Sequence, residues 1–255
     1  MEIKVPNPPS YASLVEMYKP SPATTFACLV YGPSSSGKTH FAGTFPDPFF
    51  IDADRGMRSL QDELPRVQLQ KAEKPFSMVL SILQDAAVER GPWAKDGPLA
   101  TRKTIVIDSV TSLIDDYMAP ETMTEAKRDI LNDKLSYDEY GKIKARMTAL
   151  ASVIKDLALT KYVVMTALVE EEKEENTGIL IGKPMLTGKY RDKIMADFDE
   201  TYYLEVVTPV GGGSPVYKLY AQTYRWYRAK TRLTTIKSLD DPSFKKVVSQ
   251  FKVVK

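Results

Sequence analysis

The chain has 255 residues, 43% of them hydrophobic, which is sufficient for one domain with a sizeable buried core. It lacks any run of about eighteen apolar residues and begins without the apolar core of a signal peptide, so we expect a cytosolic protein without membrane association. The net charge of +2 indicates no global nucleic-acid surface, and a single cysteine, Cys28, and a single histidine, His40, exclude a disulfide framework and disfavour a zinc site.

The first 24 residues differ from the rest by their proline content. The prolines of this stretch are Pro6, Pro8, Pro9, Pro20 and Pro22. Because proline removes a backbone donor and favours extended conformations, residues 1–24 are predicted to form an arm that covers an edge of the domain.

After this arm, short apolar runs alternate with segments of helical period, which is typical of parallel strands joined by crossover helices. The predicted buried strands are Thr25–Tyr31, Phe49–Asp52, Thr104–Asp108 and Tyr162–Ala167. Two helices between them are predicted from apolar stripes, namely Phe76, Val79, Leu80, Leu83 and Ala87, and Tyr140, Ile143, Met147, Leu150, Ile154 and Leu157.

The last third of the chain has a different pattern. The segments TYYLEVV and PVYKLYA flank a glycine-rich turn, which predicts an antiparallel hairpin. We therefore expect an α/β fold with a mainly parallel central sheet, flanked by helices and extended by C-terminal antiparallel strands. The predicted domain spans residues 25–236, and residues 237–255 are interpreted as a basic tail.

The segment after the first strand fits the pattern G-x-x-x-x-G-K-[ST], and a helix is predicted to follow it. Backbone N–H groups of such a loop surround phosphates, the lysine reaches the β and γ phosphates, and the hydroxyl binds Mg²⁺. The pattern predicts ATP and Mg²⁺ as cofactors. The predicted cofactor-binding residues are Gly32, Pro33, Ser34, Ser35, Ser36, Gly37, Lys38, Thr39 and His40, with Thr39 as the metal ligand.

Carboxylates follow two of the predicted strands. Asp108 ends the strand TIVID, which we expect beside the strand before the phosphate loop, where a carboxylate would hold a water of the magnesium ion. Asp54 is the candidate catalytic base, with Asp52 as the alternative. A turn held by aspartate side chains before Gly56 is the competing interpretation.

Three motifs in this order, YGPSSSGKT, FFIDADRG and TIVIDSVTSL, resemble those of the RecA-like ATPases, and in particular of short phage proteins that include the Sak-type single-strand annealing proteins. The resemblance extends from about Thr25 to Leu233. It implies a RecA-like P-loop ATPase that assembles into a ring or filament and acts on single-stranded DNA in recombination, annealing or replication. A single-strand-binding protein is a further candidate partner, and the location would be the host cytoplasm.

The resemblance also implies roles for later residues. In VVMTALVEE, Thr166 is in the position that senses the γ-phosphate, although Ala167 stands where the group has histidine. RWYRAKTRL is similar to a basic finger that enters a neighbouring subunit's site, so Lys230 and Arg232 on one extended strand are candidate catalytic residues. A solvated strand face is the alternative.

In RecA-like proteins two loops face the DNA, and they correspond here to residues 115–134 and 170–193. The start of the second loop is acidic, with Glu170, Glu171, Glu172, Glu174 and Glu175, and would repel DNA. The candidate nucleic-acid contacts are therefore Lys183, Lys189, Tyr190 and Arg191. A mobile polar loop without a ligand is the alternative.

Two other functions also fit the phosphate loop. One is a nucleotide-gated scaffold or annealing protein with little turnover. The other is a small-molecule or nucleotide kinase, for which Arg55, Arg58 and Arg66 would have to close over the phosphates.

Overall fold

The structure is a computed structural model that describes residues 25–175, 177–187, 189–209 and 211–251. The arm predicted over residues 1–24 lies outside the described residues. Side chains of Lys189 and Asp192 lie outside them as well.

Within this part of the chain, nine strands form one sheet. They are β1 Ala27–Gly32, β2 Pro48–Asp52, β3 Arg66–Gln68, β4 Thr104–Asp108, β5 Tyr162–Lys173, β6 Leu180–Pro184, β7 Glu200–Val207, β8 Val216–Tyr220 and β9 Ser238–Asp240. Their order is β3-β2-β4-β5-β1-β7-β8-β9, with β6 paired to the far end of β5. Neighbours from β3 to β7 are parallel, whereas β8, β9 and β6 join antiparallel. The predicted fold class is confirmed.

Helices cover both faces of this sheet. They are α1 Lys38–Gly43, α2 Pro75–Val88, α3 Gly91–Ala94, α4 Val110–Ser112, α5 Ala119–Glu125, α6 Tyr137–Leu157 and α7 Phe244–Val248, with a π-helical turn at Leu113–Met118. The first turn of α6 is closed by a capping box in which Ser136 and Glu139 each accept the other's backbone N–H. None of the helices in the described ranges is long and apolar enough to cross a bilayer.

The predicted apolar stripes mostly face the core. In α2, however, Ile82 and Ala86 are buried while Leu80 is only partly covered. In α6 the buried stripe starts at Ile143, and Tyr140 in the first turn is exposed. Both differences arise because a helix buries the arc that contacts its neighbours, and adjacent apolar residues at the margin of that arc stay outside.

The predicted tail after residue 236 is wrong for the part that the structure describes. β9 pairs with β8, Val247 of α7 is fully buried, and the Phe244 ring lies 4.9 Å from that of Phe45. Phe251 contacts Phe26 at 5.1 Å between ring centres. The basic composition of this segment did not indicate the short amphipathic helix α7, which packs on the domain.

The two predicted loops are also more ordered than expected. β5 continues to Lys173 and forms a hairpin with β6, and the residues from 115 to Glu125 are helical. The acidic sequence of β5 does not predict a strand, because a charged strand lacks the apolar alternation of a core strand.

Phe244→Ala should lower the free energy of unfolding by about 2 kcal/mol, less than the ~3–5 kcal/mol of a fully buried ring, because the side chain is partly covered. Urea unfolding followed by circular dichroism measures this difference. The exposed neighbour Lys245→Ala is the matched control and should change stability by less than about 0.5 kcal/mol. Equal stabilities for both variants would show that α7 does not support the fold.

Candidate functional site

The loop between β1 and α1 curls where two glycines permit it. A Cβ on Gly32 would lie 2.0 Å from the carbonyl oxygen of Leu204, so no side chain fits there. Gly37 has φ of 89°, in the left-handed region that favours glycine. α1 starts directly afterwards at Lys38. This is the strand, loop and helix that the phosphate-loop pattern predicted.

Lys38 lies inside this loop. Its ammonium donates to the carbonyl oxygens of Gly32 at 3.0 Å and Pro33 at 2.6 Å, and the residue is 9% exposed. Burial lowers the pKa of Lys38, while the negative charges of Asp108 and Asp54 act in the opposite direction. An ammonium group held by backbone carbonyls at the mouth of the loop is suited to anionic phosphate oxygens.

Asp108 connects three elements of the site. Its Oδ2 accepts a hydrogen bond of 2.7 Å from the Thr39 hydroxyl, and its Oδ1 accepts one from the Thr166 hydroxyl. Both Asp108 and Thr166 are buried. The peptide bond from Asp108 to Ser109 is cis.

This arrangement corrects one expectation. β4 does not lie beside β1, because β5 is inserted between them and carries Thr166. In register, Ile107 of β4 pairs with Met165 of β5, which puts the next residues, Asp108 and Thr166, side by side. The sequence contained both strands but no local signal for their order across the sheet.

Burial raises the pKa of Asp108 to about 6, with Asp54 and Asp52 adding to the rise and the Thr166 and Thr39 hydroxyls opposing it. Partial desolvation also raises the pKa of Asp54, and the negative charge of Asp52 raises it further. The hydrogen bond from the Gly56 N–H and the positive charge of Lys38 act in the opposite direction. The site therefore holds closely spaced carboxylates whose ionised forms favour an added cation.

The two candidate bases have different surroundings. Asp52 is buried and forms an ion pair with Arg66. Asp54 lines the cavity, and its Oδ1 accepts the Gly56 N–H at 2.8 Å. The turn interpretation therefore describes Asp54 correctly, and the same turn places its carboxylate at the site. Engagement of Arg66 by Asp52 also removes that arginine from the cluster that a kinase lid would need.

A cavity of about 710 Å³ opens over the phosphate loop. Seven of the nine predicted cofactor-binding residues line it, from Ser34 to His40. The carbonyl oxygens of the other two, Gly32 and Pro33, accept hydrogen bonds from Lys38. Other lining residues were not predicted from the sequence, among them Tyr217, Asp241, Pro242 and Ser243. No motif marks them, because the pairing of β7, β8 and β9 brings them there from far along the chain.

The donor set at the cavity suits magnesium. Thr39 offers a hydroxyl and Asp108 a carboxylate, the hard oxygen groups that Mg²⁺ prefers. No group of three or more His, Cys, Asp or Glu side chains in the described ranges could hold a metal alone. A magnesium ion at Thr39 and Asp108 would thus take its other oxygens from nucleotide phosphates and water.

The candidate finger residues lie at the opposite end of the sheet. Lys230 donates to the carbonyl oxygens of Met195 and Phe198, both at 2.6 Å, and its pKa is lowered, chiefly by burial. Arg232 has a side chain that is 57% exposed, with a contact of 3.5 Å to Asp199. The expected extended strand is absent from this described segment, which makes only isolated bridges. Lys230 is turned to backbone carbonyls, whereas Arg232 is turned to Asp199 and solvent.

The candidate DNA contacts mostly have partners within the chain. Lys183 is buried and paired with Glu172, and Arg191 contacts Glu170 and Glu172 at 3.2–3.4 Å. Tyr190 is buried, with its hydroxyl on Asp197. The acidic residues of β5, read as a source of repulsion, instead neutralise the basic residues. A nucleic-acid contact at these positions stays a prediction.

The family model described as an AAA domain matches residues 24–233. The chain belongs to this AAA domain family. The phosphate loop and the mainly parallel sheet agree with this match, which identifies a P-loop ATPase domain, a class that binds nucleotide. No curated protein matches the chain.

Three solved structures share parts of the architecture at 12–13% identity. A KaiC-like protein of Pyrococcus horikoshii has a TM-score of 0.46 over 85% of this chain and 90% of its own. The RadB recombinase scores 0.43 over 79% and 82%, and the flagellar accessory protein FlaH of Methanocaldococcus jannaschii 0.38 over 86% and 90%. Likenesses this distant do not indicate what this chain binds.

The raised pKa of Asp108 predicts a specific pH dependence of stability. A carboxyl whose pKa rises from an ordinary 3.8 to about 6 on folding binds its proton more tightly in the native state. Its stabilisation is therefore complete below pH 4 and is lost as pH rises through about 6. Asp108→Asn removes this loss, so the variant should gain roughly 2–3 kcal/mol relative to the unmodified chain between pH 4 and pH 7.

Urea unfolding of both proteins across this range, without nucleotide or magnesium, measures the difference. Other ionisable groups are common to the two proteins, so they largely cancel in the comparison. Parallel pH profiles would show that Asp108 is not held in a desolvated, negatively charged setting.

Proposed function

We propose that this protein is a magnesium-dependent ATPase in which Asp108 positions the metal and Asp54 activates water. The main support for this proposal is the position of the Asp108 carboxylate, which accepts hydrogen bonds from the Thr39 and Thr166 hydroxyls at the mouth of the phosphate loop. Magnesium, when bound, would neutralise charge that develops on the phosphates. Lys38 would bind β and γ phosphate oxygens in place of its present carbonyl partners.

Asp54 is supported as the base by its place on the cavity wall and by its raised pKa. A general base works best when its pKa approaches the working pH, and a raised carboxyl pKa moves in that direction. Thr166 would report the state of the site, because its hydroxyl and the magnesium ion share the Asp108 carboxylate.

We further propose that the ATPase assembles with copies of itself and acts on single-stranded DNA, in recombination, annealing or replication. The motif order shared with RecA-like proteins and the family membership support this. Arg232 supports an oligomer through its location. Its partner Asp199 accepts a hydrogen bond from the N–H of Ala27, at the start of β1. Ala27 lies five residues before Gly32, which corresponds to about 17 Å along the strand. An arginine so placed is distant from its own phosphate loop and accessible to another copy.

A nucleotide-gated scaffold with little turnover is the second candidate. One observation favours it, since Asp54 has a short side chain and one of its oxygens is already engaged by the Gly56 N–H. A base restrained in this way would bind and sense ATP but hydrolyse it slowly.

Lys38→Ala should abolish ATP hydrolysis and weaken nucleotide binding, whereas Asp54→Asn should preserve binding and reduce turnover about 100-fold. Steady-state phosphate release, with and without single-stranded DNA, measures ATP hydrolysis by each variant. Calorimetry measures ATP binding. Asp54→Glu is the matched control, because it keeps the carboxylate and lengthens its reach. Tight ATP binding with turnover indifferent to DNA and to Asp54→Asn would contradict the ATPase proposal and favour the scaffold.

Arg232→Ala should lower hydrolysis strongly without affecting ATP binding, because the arginine would act in a neighbouring site. Mixing this variant with Lys38→Ala should restore roughly a quarter of the activity, if subunits associate at random through a heterologous interface. Arg225→Ala, which removes another exposed arginine in the preceding turn between Tyr224 and Tyr227, is the control and should remain active. Failure of the mixture to recover would contradict a role in trans.

A further inference from the structure

The cavity extends across the sheet in both directions from the phosphate loop. β1 lies in the middle of the sheet, with β2 and β4, which lead to Asp54 and Asp108, on one side. On the other side lie β8 and β9, which bring Tyr217 and Asp241 to the cavity wall. A nucleotide whose γ-phosphate met the carboxylates would direct its ribose and base toward β8 and β9.

Tyr217 presents an aromatic ring directly against the phosphate loop. A Cβ on Gly37 would lie only 2.8 Å from its Cδ1 atom, so the ring rests on the turn itself. The residue is nevertheless 44% exposed, and it lines the cavity. A ring supported on one side and open on another provides a stacking platform, since every nucleobase has a π-face.

The segment after β9 forms the adjoining wall and is held firmly. The Asp241 N–H donates to the Tyr217 carbonyl at 2.6 Å, and the Phe244 N–H donates to the Thr44 hydroxyl at 2.8 Å. The Lys246 ammonium donates to the Asp241 carbonyl at 2.8 Å. One Asp241 carboxylate oxygen accepts the Tyr217 N–H at 3.3 Å. This wall is therefore tied both to α1 and to the strand that carries the ring.

We propose that Tyr217 and Asp241 form the nucleobase subsite, with the ring stacked on a purine and the carboxylate accepting a hydrogen bond from the 6-amino group of adenine. The proposal rests on the proposed nucleotide site at the phosphate loop and adds the selectivity of that site. An ionised carboxylate is only an acceptor, so it selects a base that presents an amino group at this edge.

Calorimetric titration with ATP and with inorganic tripolyphosphate separates base binding from phosphate binding. Tyr217→Ala should weaken ATP binding about tenfold, the order expected for loss of one stacking contact, and leave tripolyphosphate binding unchanged. Tyr217→Phe keeps the ring and should bind ATP as the unmodified chain does. An unchanged ratio of the two affinities in Tyr217→Ala would overturn the stacking role.

Purine riboside triphosphate, which lacks only the 6-amino group, tests Asp241. The unmodified chain should bind it about tenfold more weakly than ATP, and Asp241→Gly should nearly abolish this preference. Glycine accepts the φ of 46° at this position, so the backbone is not strained. A preference that persists in Asp241→Gly, or is missing from the unmodified chain, would overturn the selectivity role.

Lys38→Ala distinguishes failure of this proposal from failure of the nucleotide site. If the unmodified chain binds neither ATP nor tripolyphosphate, the nucleotide site itself is refuted. If both bind and both depend on Lys38 while Tyr217→Ala and Asp241→Gly bind ATP normally, the site stands and the base subsite is elsewhere.

Discussion

The carboxylate of Asp108 is the interaction on which the site depends. It connects three elements, because its two oxygens accept hydrogen bonds from the hydroxyls of Thr39 at the start of α1 and of Thr166 on β5. The parallel register of β4, β5 and β1 brings these side chains to one edge of the sheet. A shift of one residue in the pairing of β4 with β5 would turn the Thr166 hydroxyl to the other face of the sheet and separate it from Asp108.

Holding this carboxylate in the interior is unfavourable by itself, which is why its pKa rises to about 6. The hydrogen bonds from the Thr39 and Thr166 hydroxyls offset part of that cost and fix the direction of both oxygens. The arrangement favours binding of a cation over stability of the empty fold, a trade that is common where charge must be stabilised during a reaction.

The sequence predicted the elements of the site better than their arrangement. The phosphate loop was identifiable because its glycines, lysine and threonine are consecutive and lie between a strand and a helix. Asp108 and Thr166 were recognisable at strand ends, but the insertion of β5 between β1 and β4 is a long-range property without a local pattern. For the same reason Tyr217 and Asp241 were missed.

Charge patterns were the least informative part of the sequence. The acidic residues of β5 suggested repulsion of DNA, whereas in the fold Glu172 pairs with Lys183 across the β5–β6 hairpin, and Glu170 and Glu172 contact Arg191 beyond it. Lys230 and Arg232 look equivalent in sequence, yet one is turned toward backbone carbonyls and the other toward solvent. Only the pairing of distant segments determines which charges compensate each other.

The family match ends at residue 233, but the cavity wall continues to Ser243. The outer wall therefore combines Tyr217, from inside the matched span, with Asp241, Pro242 and Ser243 from beyond it. Substitutions in the residues beyond the match can reshape this wall without changing any residue of the phosphate loop.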